Sequence, residues 1–248
     1  MGVVLGAFAV LPGLALGSFL NVVAARLPER RSLVRPRSSC NDCGTPIAWY
    51  DNVPVVSYAV LRGRCRICVA PISPLYPAVE LATGLLLACC LVAFGLTLHA
   101  LAASIFCAAL VVITATDLTH RIVPNRVVLP AAAIVLVLMT AWEPSPEWAA
   151  AGLGASTFLL LVALAYPAGM GMGDVKLALL MGVALGRAVA VALPLGMLFA
   201  IVPAIFLFAR HGSGARKMAI PFAPFLALGS VVALFAGDAL IHAYTSFF

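Results

Sequence analysis

The sequence predicts an all-α polytopic membrane protein with about eight transmembrane helices and a small polar domain after the first helix. Of its 248 residues, 64% are hydrophobic and only 10% are charged, whereas soluble domains carry about 25% charged residues. Apolar stretches long enough to cross about 30 Å of hydrocarbon recur along the chain. The one long polar segment runs from Leu27 to Pro77. Together these observations argue against a soluble fold.

Eight apolar stretches are the candidate membrane spans. They are separated by Gly, Pro and charged residues and cover 3–24, 78–98, 100–116, 127–142, 150–168, 175–186, 188–209 and 222–244. Three of them, 100–116, 127–142 and 175–186, fall short of the roughly 20 residues that one crossing needs, so those helices should include flanking loop residues or enclose a thinned, hydrated region. The first stretch lacks a basic n-region and a small-residue cleavage pattern, so we interpret it as a retained helix.

The lysines and arginines orient these spans. An excess of cations marks the cytoplasmic side of a membrane protein, and the opposite side here keeps only Arg187. The other fourteen of the fifteen cations fall in the four loops of one side: Arg26, Arg30, Arg31, Arg35, Arg37, Arg62, Arg64, Arg66, Arg121, Arg126, Lys176, Arg210, Arg216 and Lys217. Both termini are therefore expected outside. Because topology accounts for the net charge of +6, we expect the lipid bilayer rather than nucleic acid as the partner of this charge.

Four cysteines in the polar segment form two CxxC pairs, Cys40 with Cys43 and Cys65 with Cys68, separated by 21 residues. This spacing is typical of a zinc ribbon, in which four thiolates hold one structural Zn²⁺. A domain of about 50 residues has too little core to be stable alone, and a metal supplies the missing folding energy. The alternatives are a catalytic zinc, which four thiolates disfavour because they leave no open position, and two disulfides, which a reducing cytoplasm disfavours.

Two aspartates stand at the ends of apolar runs, on the same predicted membrane edge. Asp117 ends one run and Asp174 begins another, behind the glycines 169, 171 and 173. Two carboxylates brought together cannot both ionise easily, so one can act as a general base and the other as a general acid. The alternatives are helix-end charges, with Asp174 as an N-cap and Asp117 paired with a neighbouring cation, or an ion pathway of a transporter.

Further motifs make the sequence similar to the bacterial prepilin peptidases, also called type IV leader peptidases. The motifs follow one another from the first helix to the last: Gly17-Ser18-Phe19-Leu20-Asn21, Arg26-Leu27-Pro28, Asp51-Asn52-Val53-Pro54, Ser57, Tyr76-Pro77, Glu80, Asp117 to Asn125, Gly171-Met172-Gly173-Asp174-Val175-Lys176, and Lys217 with Ile220-Pro221-Phe222-Ala223-Pro224-Phe225. Two departures are Ala223, where many relatives carry glycine, and Asn41, where proline is common.

The resemblance implies a GxGD aspartyl endopeptidase with Asp117 and Asp174 as its catalytic pair. It would remove the leader of prepilins and pseudopilins after a glycine and N-methylate the new terminus with S-adenosylmethionine. Support for the substrate or active site is expected from Gly171, Gly173, Lys176, Lys217 and Glu80. The implied domains are a first helix at 1–25, a cytoplasmic four-cysteine zinc domain at 26–77, and a transmembrane peptidase domain at 78–248. A carboxylate-lined transporter or a zinc-stapled scaffold is the rival class.

Overall fold

The computed structural model describes residues 2–166, 170–212 and 220–246, and in these ranges it is helical with no β-strand. The predicted all-α fold is thereby confirmed. Its α-helices are α1 (Gly2–Arg26), α2 (Val56–Val60), α3 (Leu75–Phe94), α4 (Leu98–His120), α5 (Asn125–Trp142), α6 (Glu147–Ala165), α7 (Met172–Leu185), α8 (Val189–His211) and α9 (Ala223–Thr245).

All the long helices of the described ranges are apolar enough to cross a membrane. By length and composition there are seven such stretches, because Met172–His211 counts as one of 40 residues. That stretch contains α7 and α8, joined by a 3₁₀ turn at Gly186–Ala188 where Gly186 has a φ of 54°. The chain reverses there: α7 starts near the beginning of α9, whereas Ala188 at the start of α8 lies against Gly237, well along α9. The two predicted spans of this stretch are therefore separate helices.

The chain forms two compact units, Met1–Ala100 and Leu101–Phe248. In the first unit, α1 packs antiparallel on α3 through glycines. A Cβ atom on Gly13 would lie 2.7 Å from Gly84 Cα, and one on Gly17 would lie 2.6 Å from Glu80 Cα. Small residues allow helix backbones to approach closely within a membrane, which explains the small residues of the first motif.

The core of the second unit is built around α7. Leu177, Leu180 and Met181 on this helix are fully buried, and α7 packs on α5, α6 and α9. The helix has only 14 residues, about 21 Å at 1.5 Å per residue. Its short length was predicted, whereas α4 is longer than the stretch 100–116 and continues to His120. As a result Asp117 lies inside the last turn of α4 rather than beyond it.

Candidate active site and metal centre

Asp117 is a buried acid in the last turn of α4. Its side chain is only 7% exposed. The carboxylate oxygen Oδ2 accepts a hydrogen bond of 3.1 Å from the backbone N–H of Ala223, the first residue of α9. The last turn of one helix is thus tied to the first turn of another that lies 106 residues further along the chain.

Asp174 lies in the first turn of α7 and is partly buried. It lines the same cavity as Asp117, a space of about 240 Å³ whose other walls come from Arg121, Ile122, Val123, Asn125, Gly171, Gly173 and Lys176. The structure therefore brings together the two aspartates that the sequence singled out, although 57 residues separate them. The arrangement places two carboxyl groups and open space in one small cavity at helix ends.

The loop between α4 and α5 is held against the start of α7. Lys176 donates a hydrogen bond of 2.9 Å to the side-chain oxygen of Asn125, and a Cβ atom on Gly173 would lie 2.8 Å from Val123 Cβ. Gly173 therefore has a packing reason to be glycine. Gly171 is different: it is exposed, and only Asp174 and Gly173 lie near the space a Cβ would take.

These positions bear on the predicted alternatives. The N-cap of α7 is Gly171 and not Asp174, and the amine of Lys176 bonds to Asn125. Arg121, at a positive φ of 55°, remains near enough to Asp117 to interact electrostatically with it. Lys217 and Gly169 lie outside the described residues.

Sequence reasoning missed two groups of this site, the amide side chain of Asn125 and the backbone N–H of Ala223. Both stand inside motifs that were recognised, at 117–125 and 220–225. Asn125 could have been found as a polar residue at the start of an apolar run. Nothing in a sequence marks a peptide N–H that is left free for another helix.

The four predicted cysteines lie together in the first unit. Their Sγ atoms are all within 4.8 Å of one another, and the cluster could hold a metal ion. The Cys40 and Cys68 sulfurs are 3.7 Å apart, and sulfurs bound at about 2.3 Å to a tetrahedral zinc are separated by about 3.8 Å. All four cysteines are free thiols, so the disulfide alternative finds no support in their geometry.

The two CxxC turns have the same backbone design. Cys40 N–H bonds to Thr45 O and Gly44 N–H to Cys40 O, while Cys65 N–H bonds to Ala70 O and Val69 N–H to Cys65 O. An isolated antiparallel bridge closes each turn, Ser39 with Pro46 and Arg64 with Pro71. This repeat of hydrogen bonds aims the two pairs of thiols at one point.

The local electrostatics favour thiolates unequally. Hydrogen bonds from the side chain and backbone of Thr45 lower the pKa of the Cys43 thiol to about 6, and hydrogen bonds from the Cys68 and Ile67 backbone lower the pKa of Cys65. At Cys68 the backbone of Ala70 also favours the thiolate, but desolvation and the neighbouring thiols outweigh it and raise the pKa to about 12. Four crowded thiols cannot all ionise alone, and a bound cation would remove the conflict.

Three motif residues of the first unit hold its polar segment in place. Glu80, only 8% exposed, accepts a hydrogen bond of 2.7 Å from the backbone N–H of Val55, a β-branched residue at a φ of 62°. Ser57 accepts from Val53 N–H and donates to Tyr50 O. Asn21 donates to Tyr76 O at 3.0 Å. These contacts enclose a cavity of about 620 Å³ within the first unit.

An ion pair stiffens one wall of that larger cavity. The Arg66 guanidinium donates to both carboxylate oxygens of Asp51, at 2.8 Å through Nε, and lies 5.6 Å from the centre of the Tyr50 ring. The guanidinium holds the pKa of Asp51 below its usual range. Arg66 and Asp51 therefore stay charged at the cavity wall.

Long apolar helices and two carboxyl groups in one cavity at helix ends define a multi-pass membrane protein with a paired-carboxylate site. Two family models match the chain: the bacterial peptidase A24 N-terminal domain over residues 11–94 and the type IV leader peptidase family over residues 104–234. The chain belongs to the type IV leader peptidase family, as the resemblance of its motifs implied.

Curated relatives are similar over nearly the whole chain. A protein of Bacillus subtilis (strain 168) is 34% identical over 245 residues, covering 94% of each chain. One of Burkholderia pseudomallei (strain 1026b) is 37% identical over 267 residues, covering 93% of this chain and 85% of the relative. One of Myxococcus xanthus (strain DK1622) is 47% identical over 129 residues, covering 52% and 38%. Each is named prepilin leader peptidase/N-methyltransferase. No solved structure matches the chain.

Proposed function

We propose that this chain is a membrane aspartyl endopeptidase that removes the leader of prepilins and pseudopilins after a glycine and then N-methylates the exposed residue. The observation that carries the proposal is the shared cavity of Asp117 and Asp174. Family membership and the names of the relatives support both activities. The transporter and scaffold alternatives have no comparable support.

The paired carboxyl groups supply the chemistry of peptide hydrolysis. One group, ionised, takes a proton from a water molecule that attacks the scissile carbonyl carbon, and the other, protonated, gives its proton to the leaving nitrogen. The C–N bond breaks, and the pair has exchanged one proton for another. Because the two groups titrate together, the roles belong to the pair rather than to one residue.

The cavity also fits the proposed cleavage position. A substrate helix lying among these helices would deliver its end to the cavity, which converts binding into positioning of the scissile bond. A cavity of about 240 Å³ with an exposed Gly171 suits a backbone that carries glycine at the bond to be cut. Gly173 and Lys176 support the site by fixing the loop that carries Val123 and Asn125. We assign Lys217 to substrate contact and Glu80 to holding the polar segment.

We further propose that the four cysteines hold a structural zinc ion. The supporting observations are the sulfur separations and the two matched turns that present the thiols. With four thiolates as ligands the metal would have no open position for water, so its contribution is folding energy. On this basis residues 1–25 form the first helix, 26–77 the zinc domain and 78–248 the peptidase domain.

We propose S-adenosylmethionine as the methyl donor, whose sulfonium group supplies an electrophilic methyl. The chain has no glycine-rich strand-to-helix fingerprint for a nucleotide, so the donor needs another kind of site. The cavity of about 620 Å³ in the first unit is within the usual size of ligand sites. Tyr50, Asp51, Tyr76 and Glu80 line it, and aromatic faces and carboxylates attract a sulfonium cation.

We place the protein in the bacterial cytoplasmic membrane with both termini outside. The support is the segregation of cations in the sequence. The peptidase site then faces the cytoplasm, where the basic leader of a prepilin remains.

The deciding experiment is cleavage of purified prepilin by the wild-type chain, Asp117→Asn and Asp174→Asn, followed by mass spectrometry of the product terminus. We expect a cut after glycine that each substitution reduces by about 10³-fold or more, because neither half of an acid–base pair works without the other. Asp238→Asn is the matched control, since Asp238 is exposed and pairs with Arg187 at 3.2 Å.

The same product reports on methylation. An added methyl mass should appear only when S-adenosylmethionine is supplied. Unimpaired cleavage by either cavity variant would refute the assignment of the catalytic pair. A folded enzyme that cuts none of several matched prepilins would favour the transporter or scaffold.

A further inference from the structure

The start of α9 has an unusual supply of backbone donors. In the segment Pro221 to Pro224 the two prolines have no N–H, so Phe222 and Ala223 provide the donors there. The next two N–H groups, of Phe225 and Leu226, both bond to the carbonyl of Phe222 at 3.1 and 3.3 Å. Because the first N–H groups of a helix lack intrahelical partners, Ala223 has a donor free for a group outside α9.

That donor is directed at Asp117. Ala223 is fully buried, and its N–H lies 3.1 Å from Asp117 Oδ2. A hydrogen bond from an amide to a carboxylate is among the stronger kinds in proteins, and the positive end of the helix adds to it. The terminal torsion of an aspartate is otherwise broad. The contact therefore selects one orientation of this carboxyl group.

We propose that the peptide N–H of Ala223 is the positioning group of the dyad: it fixes Oδ2 of Asp117 and thereby directs the other oxygen, Oδ1, to the water and scissile bond in the cavity. The proposal rests on the catalytic role proposed above for Asp117. It gives the prolines on either side of Phe222-Ala223 a purpose, because they limit the donors at this helix start to the two residues facing the acid. Ala223 acts through Asp117 and need not touch substrate.

The test removes the N–H without changing the side chain. Cell-free translation of the full chain with lactic acid in place of alanine at position 223 (Ala223→lactate) turns the amide into an ester. We expect kcat for prepilin cleavage to fall by about 10- to 100-fold, as for loss of a hydrogen bond to a charged group, with KM unchanged. The same replacement one turn later, Ala227→lactate, is the control and should leave kcat within about threefold of wild type, since that N–H lies within α9, away from the acid.

A second variant, Ala223→Pro, removes the same N–H in ordinary expression, and proline is tolerated in the first turn of a helix. It should show the same selective loss of kcat. Unchanged kcat in Ala223→lactate, while Asp117→Asn is inactive, would overturn the positioning role and leave the proposed function intact. A fall in kcat matched by the Ala227 control, or accompanied by an equal rise in KM and a lower melting temperature, would also overturn it in favour of a merely structural role. Activity in Asp117→Asn would instead defeat the proposed function itself.

Discussion

Two equivalent residues of the CxxC turns differ in the cost of their backbone conformation. Gly44 has a φ of 69° and Val69 has a φ of 60°. Glycine adopts this left-handed region freely, whereas a β-branched residue there is strained by about 1–3 kcal/mol. The first turn thus has the residue its geometry requires, and the second turn tolerates strain that the surrounding structure must offset.

This difference predicts opposite effects of exchanging the two residues. Val69→Gly should be neutral to stabilising, because the strain removed outweighs the roughly 0.5–1 kcal/mol that glycine's freedom in the unfolded chain costs, and the Val69 side chain is 56% exposed. Gly44→Val should cost about 1–3 kcal/mol. The measurement is the rate of zinc release from the purified full chain to a coloured chelator. Faster release from Val69→Gly than from Gly44→Val would contradict the argument.

At this scale the sequence predicted side chains well and backbone contacts poorly. The spacing of cysteines and the isolation of Asp117 and Asp174 in apolar surroundings identified the residues that the structure brings together. The partner of Asp117 was not foreseeable, because a peptide N–H is present at every residue except proline. Which one is free depends on where a helix begins, and the ends of helices are what sequence patterns determine least well.

Among the elements, the crossing of α6 and α7 is the tightest contact that positions Asp174. A Cβ atom on Gly182 would collide with the carbonyl of Ala151 and lie 2.6 Å from Gly152 Cα. Glycines at such a crossing let two backbones approach. Gly154, two residues after Gly152, faces open space instead, with nothing within 4 Å of an added Cβ. The two faces of α6 therefore demand different residues.

We predict that Gly182→Ala destabilises the protein by about 1–3 kcal/mol, because an extra methyl at a packed backbone crossing forces the helices apart. Since α7 begins with Asp174, cleavage should fall as well. Gly154→Ala is the control and should be neutral or stabilising by up to about 1 kcal/mol, because alanine favours a helix more than glycine does. The melting temperature in detergent and kcat measure the two effects. Equal losses in both variants would show that the close approach at Gly182 has no special importance.

At the scale of the whole molecule, the pattern of apolar runs predicted the number and order of the helices, and their lengths differed where polar residues extend a helix. The stretch 100–116 became α4, which continues to His120, because Thr116 and Thr119 bond to carbonyls of their own helix at 3.0 and 2.8 Å and so keep their hydroxyls satisfied. Hydropathy alone stops at the first polar residue. It also merges α7 with α8, which only the backbone turn at Gly186 separates.

The segregation of cations leads to a prediction about the orientation of the whole chain. Fourteen of the fifteen lysines and arginines fall in loops assigned to one side, and this asymmetry sets orientation during insertion. In intact spheroplasts, a membrane-impermeant maleimide should therefore label Ser145→Cys, in the exposed connection between α5 and α6, and should not label Ser32→Cys until the membrane is opened. The wild-type chain measures the labelling of the native cysteines. Labelling of Ser32→Cys alone in closed cells would invert the topology and move the proposed peptidase site away from the leader, because the connection that contains Arg121 and Arg126 has the same predicted side as Ser32.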